Sequence, residues 1–334
     1  MSDERPATDD DLDALVHRGD LDGLVRMIED RCSDRDWAGL LRVRDRSRQA
    51  VETGRQLWPA ATLAEYRLAL LAPAEYVARV LDESVGLSGR FTIGPLTEVA
   101  AQHHAWDELA PVLDRGPRAA FVAHERVLRG EAVDHGDELP PVLDIPLTLQ
   151  AWEPEYALAA YSDVGAEFPM PELPNEWTLV EPEDVERLDD DVELAVRQLI
   201  EPWLVSSNGQ LDVSCVEGDV ADAIGALGVR HARIAELDPA TALAWVAWAG
   251  ASGGAHGRRR GAAAGRFGAW WLLATLGDLV DDWPVEPDEL GALAAELRWY
   301  RWDAHEPTVG WSLQLAVEDV ANDTAWAITA RDAV

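Results

Sequence analysis

The stretch Gly310-Trp-Ser-Leu-Gln-Leu-Ala-Val-Glu-Asp-Val-Ala-Asn-Asp-Thr-Ala-Trp-Ala-Ile-Thr329 decides the fold class. Trp311, Leu313, Leu315 and Val317 recur every second residue, which places them on one face of an extended strand over 310–318. Asn322-Asp323 supplies turn chemistry, and Thr324–Thr329 reads as the returning strand of a hairpin. Leu297–Trp302 is also strand-like. Gln210–Glu217 alternates with Leu211, Val213 and Cys215 on one face. Between these lie helical patterns over Val192–Ile200, Asp219–Leu227, Ala240–Gly250 and Gly257–Leu276. Residues 184–334 are therefore expected to form an α+β domain, a small antiparallel sheet against Ala- and Trp-rich helices.

The N-terminal half has a different period. Leu12, Leu15 and Val16 fit one helix face, and Leu21, Leu24, Val25 and Ile28 the next, with Asp20 as N-cap. A longer helix is expected from Asp36, with Trp37, Leu40, Leu41 and Val51 inward. Pro59 can open another, with Leu63, Tyr66 and Leu70 on its apolar face, and Pro73 a further one through Tyr76, Val77, Val80 and Leu81. Trp37-x-x-Leu40 and Trp106-x-x-Leu109 hint at two periods of a helix-pair repeat of about 34 residues. The expectation for the whole chain is α+β, mainly α: a polar disordered start over 1–8, an α-solenoid-like helical array over 9–131, a Pro-rich linker or wrapping segment over 132–183, and the α+β domain. Gly89–Gly94 is the one strand-like run in the array. The prolines at 140, 141, 146, 154, 169, 171, 174 and 182 deny long helices to the linker.

Composition excludes several functions. The 334 residues carry 62 acidic and 28 basic side chains, for a net charge of −34, and every basic residue is arginine. Without lysine there is no Schiff base, no pyridoxal phosphate anchor, no phosphate-loop lysine and no kinase lysine. Coding bias in a GC-rich genome accounts for that composition better than function does, since Ala, Gly, Asp and Trp are also abundant. The acidity opposes generic binding to nucleic acid or an anionic membrane. The start, MSDERPATDDDLD, has neither the cationic nor the apolar part of a signal peptide, and no apolar run approaches the ~20 residues of a membrane span. Cys32 and Cys215 lie far apart, so no disulfide framework or cysteine zinc site is expected. A cytoplasmic protein follows, with no cofactor and no metal.

One segment could carry chemistry: Ser252-Gly-Gly-Ala-His-Gly-Arg-Arg-Arg-Gly-Ala-Ala-Ala-Gly-Arg266. A glycine-rich turn entering a helix whose first turn holds three arginines suits an anion, through free amide groups, the helix dipole and bidentate guanidinium forks. The candidate ligand residues are Ser252, Gly253, Gly254, His256, Arg258, Arg259, Arg260 and Arg266, with Arg259 and Arg266 on one helix face and His256 as candidate acid or base. The spacing is neither the dinucleotide fingerprint nor the phosphate loop, so it names no ligand class. The competing reading is packing: Gly257, Gly261 and Gly265 recur every four residues, a stripe on which the Trp245/Trp248 helix could sit, with the arginines paired to carboxylates.

Other groups read as structural. His103-His104 with Asp107 and Glu108, and His124-Glu125 with Glu131, do not match metal spacing and are expected at the surface or at helix caps. Arg42, Arg44, Arg46 and Arg48 read as a solvated helix face, and the tryptophans mostly as core.

Gly94-Pro-Leu-Thr-Glu98, His124–Glu131, Gly253–Gly261 through Trp270-Trp271, Gly310–Asp319 and Ala325–Asp332 together resemble a family of unknown function from high-GC Gram-positive bacteria. The resemblance covers most of the chain and implies a cytoplasmic bacterial protein; it brings no activity, cofactor or catalytic residue. The expected function is a non-catalytic binding or scaffold protein, with a protein partner on the helical array and an anionic small molecule at the Gly/Arg segment. The alternative is an enzyme acting on an anionic small molecule through His256, Arg258–Arg260 and Arg266.

Overall fold

A computed structural model describes residues 9–83, 94–134, 138–183, 185–306 and 310–333. The expected disordered start and most of the Gly89–Gly94 run lie outside the described residues. The chain forms two compact units, Met1–Val142 with Ala160–Glu167, and Leu143–Ala159 with Phe168–Val334.

The first unit is helical: α1 (Asp9–Arg18), α2 (Leu21–Ser33), α3 (Trp37–Glu52), α4 (Trp58–Leu71), α5 (Ala74–Glu83), α6 (Leu96–His103), α7 (Trp106–Leu109) and α8 (Pro117–Leu128). Local chemistry sets the starts. The Asp20 carboxylate accepts from the Gly23 N–H at 2.9 Å and Asp36 from Gly39 at 2.8 Å, satisfying amides that have no intrahelical acceptor. Pro59 sits in the first turn of α4, where its missing N–H costs nothing. Leu24, Ile28, Leu40, Val43, Leu57, Ala60 and Leu68 are buried together in the core. Trp37 opens a 16-residue helix and Trp106 one of four residues, so the two positions are not copies of one repeat.

Half of the expected arginine face on α3 is not solvated. Arg44 is buried and Arg48 pairs with Glu65 of α4 at 2.7 Å, whereas Arg42 and Arg46 are exposed and reach Asp9 and Asp13. Residues four apart share a helix face and residues two apart do not, so one i,i+4 pair turns inward and the other outward.

A short ribbon, β1 (Ala160–Tyr161) with β2 (Ala166–Glu167), belongs to this unit. Gln102 holds it like a neighbouring strand: its side-chain oxygen accepts from the Tyr161 N–H and its amide donates to the Tyr161 carbonyl at 2.8 Å. The Tyr161 hydroxyl donates at 2.6 Å to Glu98, whose carboxylate is fully buried, and the Tyr66 hydroxyl donates to the Ser162 carbonyl.

The second unit holds a six-stranded sheet, larger than the sequence suggests, of order β3-β5-β6-β7-β8-β4 with every neighbouring pair antiparallel. Its strands are β3 (Thr178–Val180), β4 (Gln210–Glu217), β5 (Ala232–Leu237), β6 (Arg298–Asp303), β7 (Trp311–Asp319) and β8 (Thr324–Asp332). The helices are α9 (Val192–Leu199), α10 (Glu201–Val205), α11 (Val220–Ala226), α12 (Pro239–Ala251), α13 (Ala262–Leu276) and α14 (Pro287–Glu296). Val220, Ala223 and Ile224 of α11 pack on Val216, Ala316, Ala325 and Ala327 of the sheet. Because those sheet positions are mostly alanine, the helix can lie close. Helix α12 packs on β6 and β7 and pairs with α13. A Cβ on Gly265 would strike the Ala247 carbonyl oxygen, so that glycine serves close approach to the tryptophan-bearing helix. Trp203, Trp270, Trp299 and Trp302 are fully buried.

The expected helix over Gly257–Leu276 begins only at Ala262. Gly261 takes φ 97°, outside the right-handed helical region, and acts as N-cap. Arg258, Arg259 and Arg260 therefore lie in a loop and not in a first helical turn, and Arg259 shares no helix face with Arg266.

Candidate functional site

The loop from Ser252 to Gly261 is built around a carboxylate. Ser252 ends α12: its hydroxyl donates to the Ala249 carbonyl at 3.1 Å and accepts from the buried Trp203 indole at 2.9 Å. The backbone then doubles back so tightly that a Cβ on Gly253 would meet the main chain of Gly257 and Arg258. Gly254 takes φ 68°, and a Cβ there would collide with the Asp332 carboxylate. That carboxylate, fully buried at the end of β8, accepts from the Ala255 N–H at 2.6 Å and from the Ser207 hydroxyl at 2.9 Å. Ser207 in turn accepts from the His256 N–H at 3.2 Å. In this turn the Ala255 N–H, and through Ser207 the His256 N–H, face an anion. The anion is the chain's own.

The arginines separate into two environments. Arg266, expected as a ligand contact, is fully buried on α13 and forms a two-pronged pair with Glu153, both contacts at 2.6 Å. Its remaining donors reach the carbonyls of Pro146 at 2.8 Å and Thr148 at 2.9 Å. Glu153 also accepts from the Tyr156 hydroxyl, the Trp270 indole and the Gln150 N–H. Burial by itself would raise the Glu153 carboxyl, but the hydrogen bonds and charge of Arg266, with the Tyr156 and Gln150 donors, outweigh it and hold the group below its usual range. Burial, then the Glu153 charge, pushes the Tyr156 hydroxyl far up, so it stays a donor. Arg266 is thus the clasp on residues 146–153, and no ligand can reach it.

Arg258 and Arg260 are exposed, as is His256. Arg260 donates from its side chain to the Gln198 carbonyl at 2.9 Å and from its main chain to Ala251 at 2.8 Å, which pins the end of the loop. The Arg259 guanidinium lies 4.8 Å from the centre of the half-exposed Phe168 ring, a cation–π distance. Of the residues named from sequence, Arg258, Arg260 and His256 are exposed and Arg259 is half-buried, whereas Ser252, Gly253, Gly254 and Arg266 build the support. Two supporting residues have no local signal: Asp332 is 77 positions from its amide partner Ala255, and Glu153 is 113 from Arg266.

Of the histidines expected at the surface or at caps, His103 is exposed, and two others are buried. His124 and Glu125 lie inside the first unit, and His104, the C-cap residue of α6, is nine-tenths buried. Among the described residues no group of three His, Cys, Asp or Glu side chains is placed to hold a metal ion, and no helix is long and apolar enough to cross a membrane.

A helical unit joined to an antiparallel α+β unit, with an arginine loop braced by an internal carboxylate, defines the class of molecule. Residues 22–333 match the model of DUF6183, a family of unknown function, and the chain belongs to that family. No curated protein and no solved structure matches it.

Proposed function

We propose that the chain is a non-catalytic binding protein that takes an anionic group, phosphate or clustered carboxylate, on the loop bearing His256, Arg258, Arg259 and Arg260. The observation that carries this reading is the Asp332 brace. Backbone entropy is a large part of what binding has to overcome, and here the loop that displays three consecutive guanidinium groups is already held by a buried carboxylate, a serine and Arg260 itself. In a chain of net charge −34, three adjacent cations make a local positive site, which favours a matching anion and repels other acidic surfaces. The helical unit would offer a second surface to a protein partner, and a bacterial cytoplasm suits the lysine-free, acidic composition. The enzyme alternative is weakened because its clamp loses Arg266 to Glu153.

Thermal melts with sodium pyrophosphate test the reading. The parent should be stabilised, by about 2.7 kcal/mol at a hundredfold excess over Kd, and Arg258→Ala/Arg259→Ala should remove the response, read as the shift between the variant's own melts with and without pyrophosphate. A parent whose melting temperature ignores pyrophosphate, and ignores a polyglutamate peptide as well, would end the proposal.

A further inference from the structure

On the second unit three partly exposed aromatic rings interlock: Phe267 and Trp271 of α13, and Trp283 a few residues beyond that helix. The Trp271 and Trp283 ring centres lie 5.2 Å apart at an interplanar angle of 72°, and Phe267 stands 6.3 Å from Trp271 and 5.9 Å from Trp283. Because the rings hold one another, a partner meets a rigid apolar surface and has little to order. Tryptophans set this way are what the centres of protein interfaces use. Charge of one sign surrounds them. Residues 267–297 carry seven acidic side chains and no basic one. Asp278, Asp281 and Asp282, the carboxylates nearest Trp283 in the chain, are exposed, and none of them is ion-paired among the described residues. Asp278 directly follows the Gly277 cap of a 15-residue helix, where the negative end of the helix dipole repels a carboxylate. It holds φ 54°, a turn that glycine or asparagine would serve without that repulsion. A local rule broken in this way is expected where function requires the charge.

The chain itself shows what such a combination takes. Trp177, just before β3, has the Arg233 guanidinium 4.3 Å and the Arg301 guanidinium 4.6 Å from its ring centre, and Arg233 also donates to both oxygens of Asp303. There an indole and a carboxylate share one guanidinium. Around Trp271 and Trp283 the indoles and the carboxylates are present, and among the described residues no guanidinium stacks on them. We propose that this face docks an arginine-bearing segment of a partner protein, the guanidinium lying on the Trp271 and Trp283 rings and its fork meeting Asp278, Asp281 and Asp282. Arginine is favoured over lysine because a planar guanidinium stacks on a ring while it donates sideways, whereas an ammonium is a compact and strongly hydrated charge. The proposal does not rest on the arginine loop binding anything.

Nuclear magnetic resonance of the whole chain, labelled at its tryptophan nitrogens, reads the site directly, with Trp271→Phe and Trp283→Phe each assigning one indole signal. The probe is the peptide acetyl-Arg-Gly-Arg-amide in about 0.15 M salt, where attraction to the net charge beyond ~8 Å is screened. It should move the Trp271 and Trp283 signals, with a Kd of ~1 mM or below, and leave those of the buried Trp203, Trp299 and Trp302 in place. Acetyl-Lys-Gly-Lys-amide carries the same charge and should bind at least about threefold more weakly, because it stacks less well. Asp281→Asn/Asp282→Asn, a conservative change at two exposed positions, should weaken the arginine peptide about fivefold. Trp271→Ala should abolish the shift of the Trp283 signal; if that variant unfolds, the asparagine pair and the lysine peptide decide the matter. Equal affinity for the two peptides, undiminished binding by the asparagine pair, or shifts confined to other tryptophans would each overturn the proposal. So would a Trp271 signal that moves with protein concentration alone while sedimentation shows a dimer, since a second copy would then cover the face.

Discussion

Arg258–Arg260 and Arg266 lie within nine residues of one another and share one glycine-rich sequence, yet they have opposite fates. The first three sit on a loop, Arg258 and Arg260 exposed and Arg259 half-buried against Phe168, and the last is sealed inside with a carboxylate of its own. What separates them is Gly261. Its positive φ starts the helix there, and only residues after it enter the packed face between α13 and its neighbours. The same side chain thus serves display on one side of a single backbone angle and closure on the other.

The largest effect is expected at the closed end. Arg266→Met should strand Glu153 in the interior and cost about 3–5 kcal/mol, read as a fall in the urea midpoint. The double variant Arg266→Met/Glu153→Leu should recover most of that, because a matched apolar pair leaves no buried charge. A double variant as unstable as the single one would show that the pair does more than satisfy itself. The same carboxylate sets an acid limb. Since its folded proton affinity is depressed, its stabilising contribution is complete above the unfolded carboxyl range, about pH 4.3, and is lost as pH falls through the lower folded value. Melts of Glu153→Gln across pH 2–6 (a window chosen about the ordinary carboxyl value) should show a flatter acid limb than the parent, though from a lower starting stability.

Smaller effects belong to the open end. Asp332→Ala deprives the Ala255 N–H and the Ser207 hydroxyl of their acceptor and should cost about 1–3 kcal/mol. Hydrogen exchange should show the Ala255 amide losing protection in that variant while the centre of β8 keeps its own. Gly254→Ala should cost about 1–2 kcal/mol from handedness alone, since it forces a side chain into a left-handed position facing Asp332. At the far end of the scale, Arg258→Ala should move ligand-free stability by no more than about 1 kcal/mol, the range of an exposed interaction. A loss of several kcal/mol there would mean that the outward arginines are structural after all.

Much of the fold is legible in the sequence wherever periodicity is strong and local. The strands at 210–217, 311–319 and 324–332, the caps Asp20 and Asp36, and the proline-opened α4 all follow from neighbours within a few residues. β5 is hidden because Ala-Arg-Ile-Ala-Glu-Leu places its buried residues at the first, fourth and sixth positions, which is neither a clean strand nor a helix pattern. The start of α13 is misread because Gly257, Gly261 and Gly265 mimic a helical stripe, and sequence spacing does not reveal the sign of φ at Gly261. In the site, a glycine-rich turn is readable and the carboxylate that braces it is not. Asp332 and Glu153 reach it from distant parts of the chain, and nothing local distinguishes them among 62 acidic residues.

The way the chain passes between its units orders events during synthesis. Domains generally fold as their residues emerge, at about 5–20 residues per second. The first unit cannot cover the Glu98 carboxylate until Tyr161 exists, and by then residues 143–159, which belong to the second unit, have already been made. Glu153 is among them, and the guanidinium it needs is 113 residues further on. For a time on the order of ten seconds at those rates it remains hydrated and ionised, next to apolar residues such as Leu143 and Ile145 that are destined for burial. Until α13 is made, residues 143–159 lack the guanidinium that closes over Glu153 in the finished chain, so the last step of covering them waits on a helix made more than a hundred residues later.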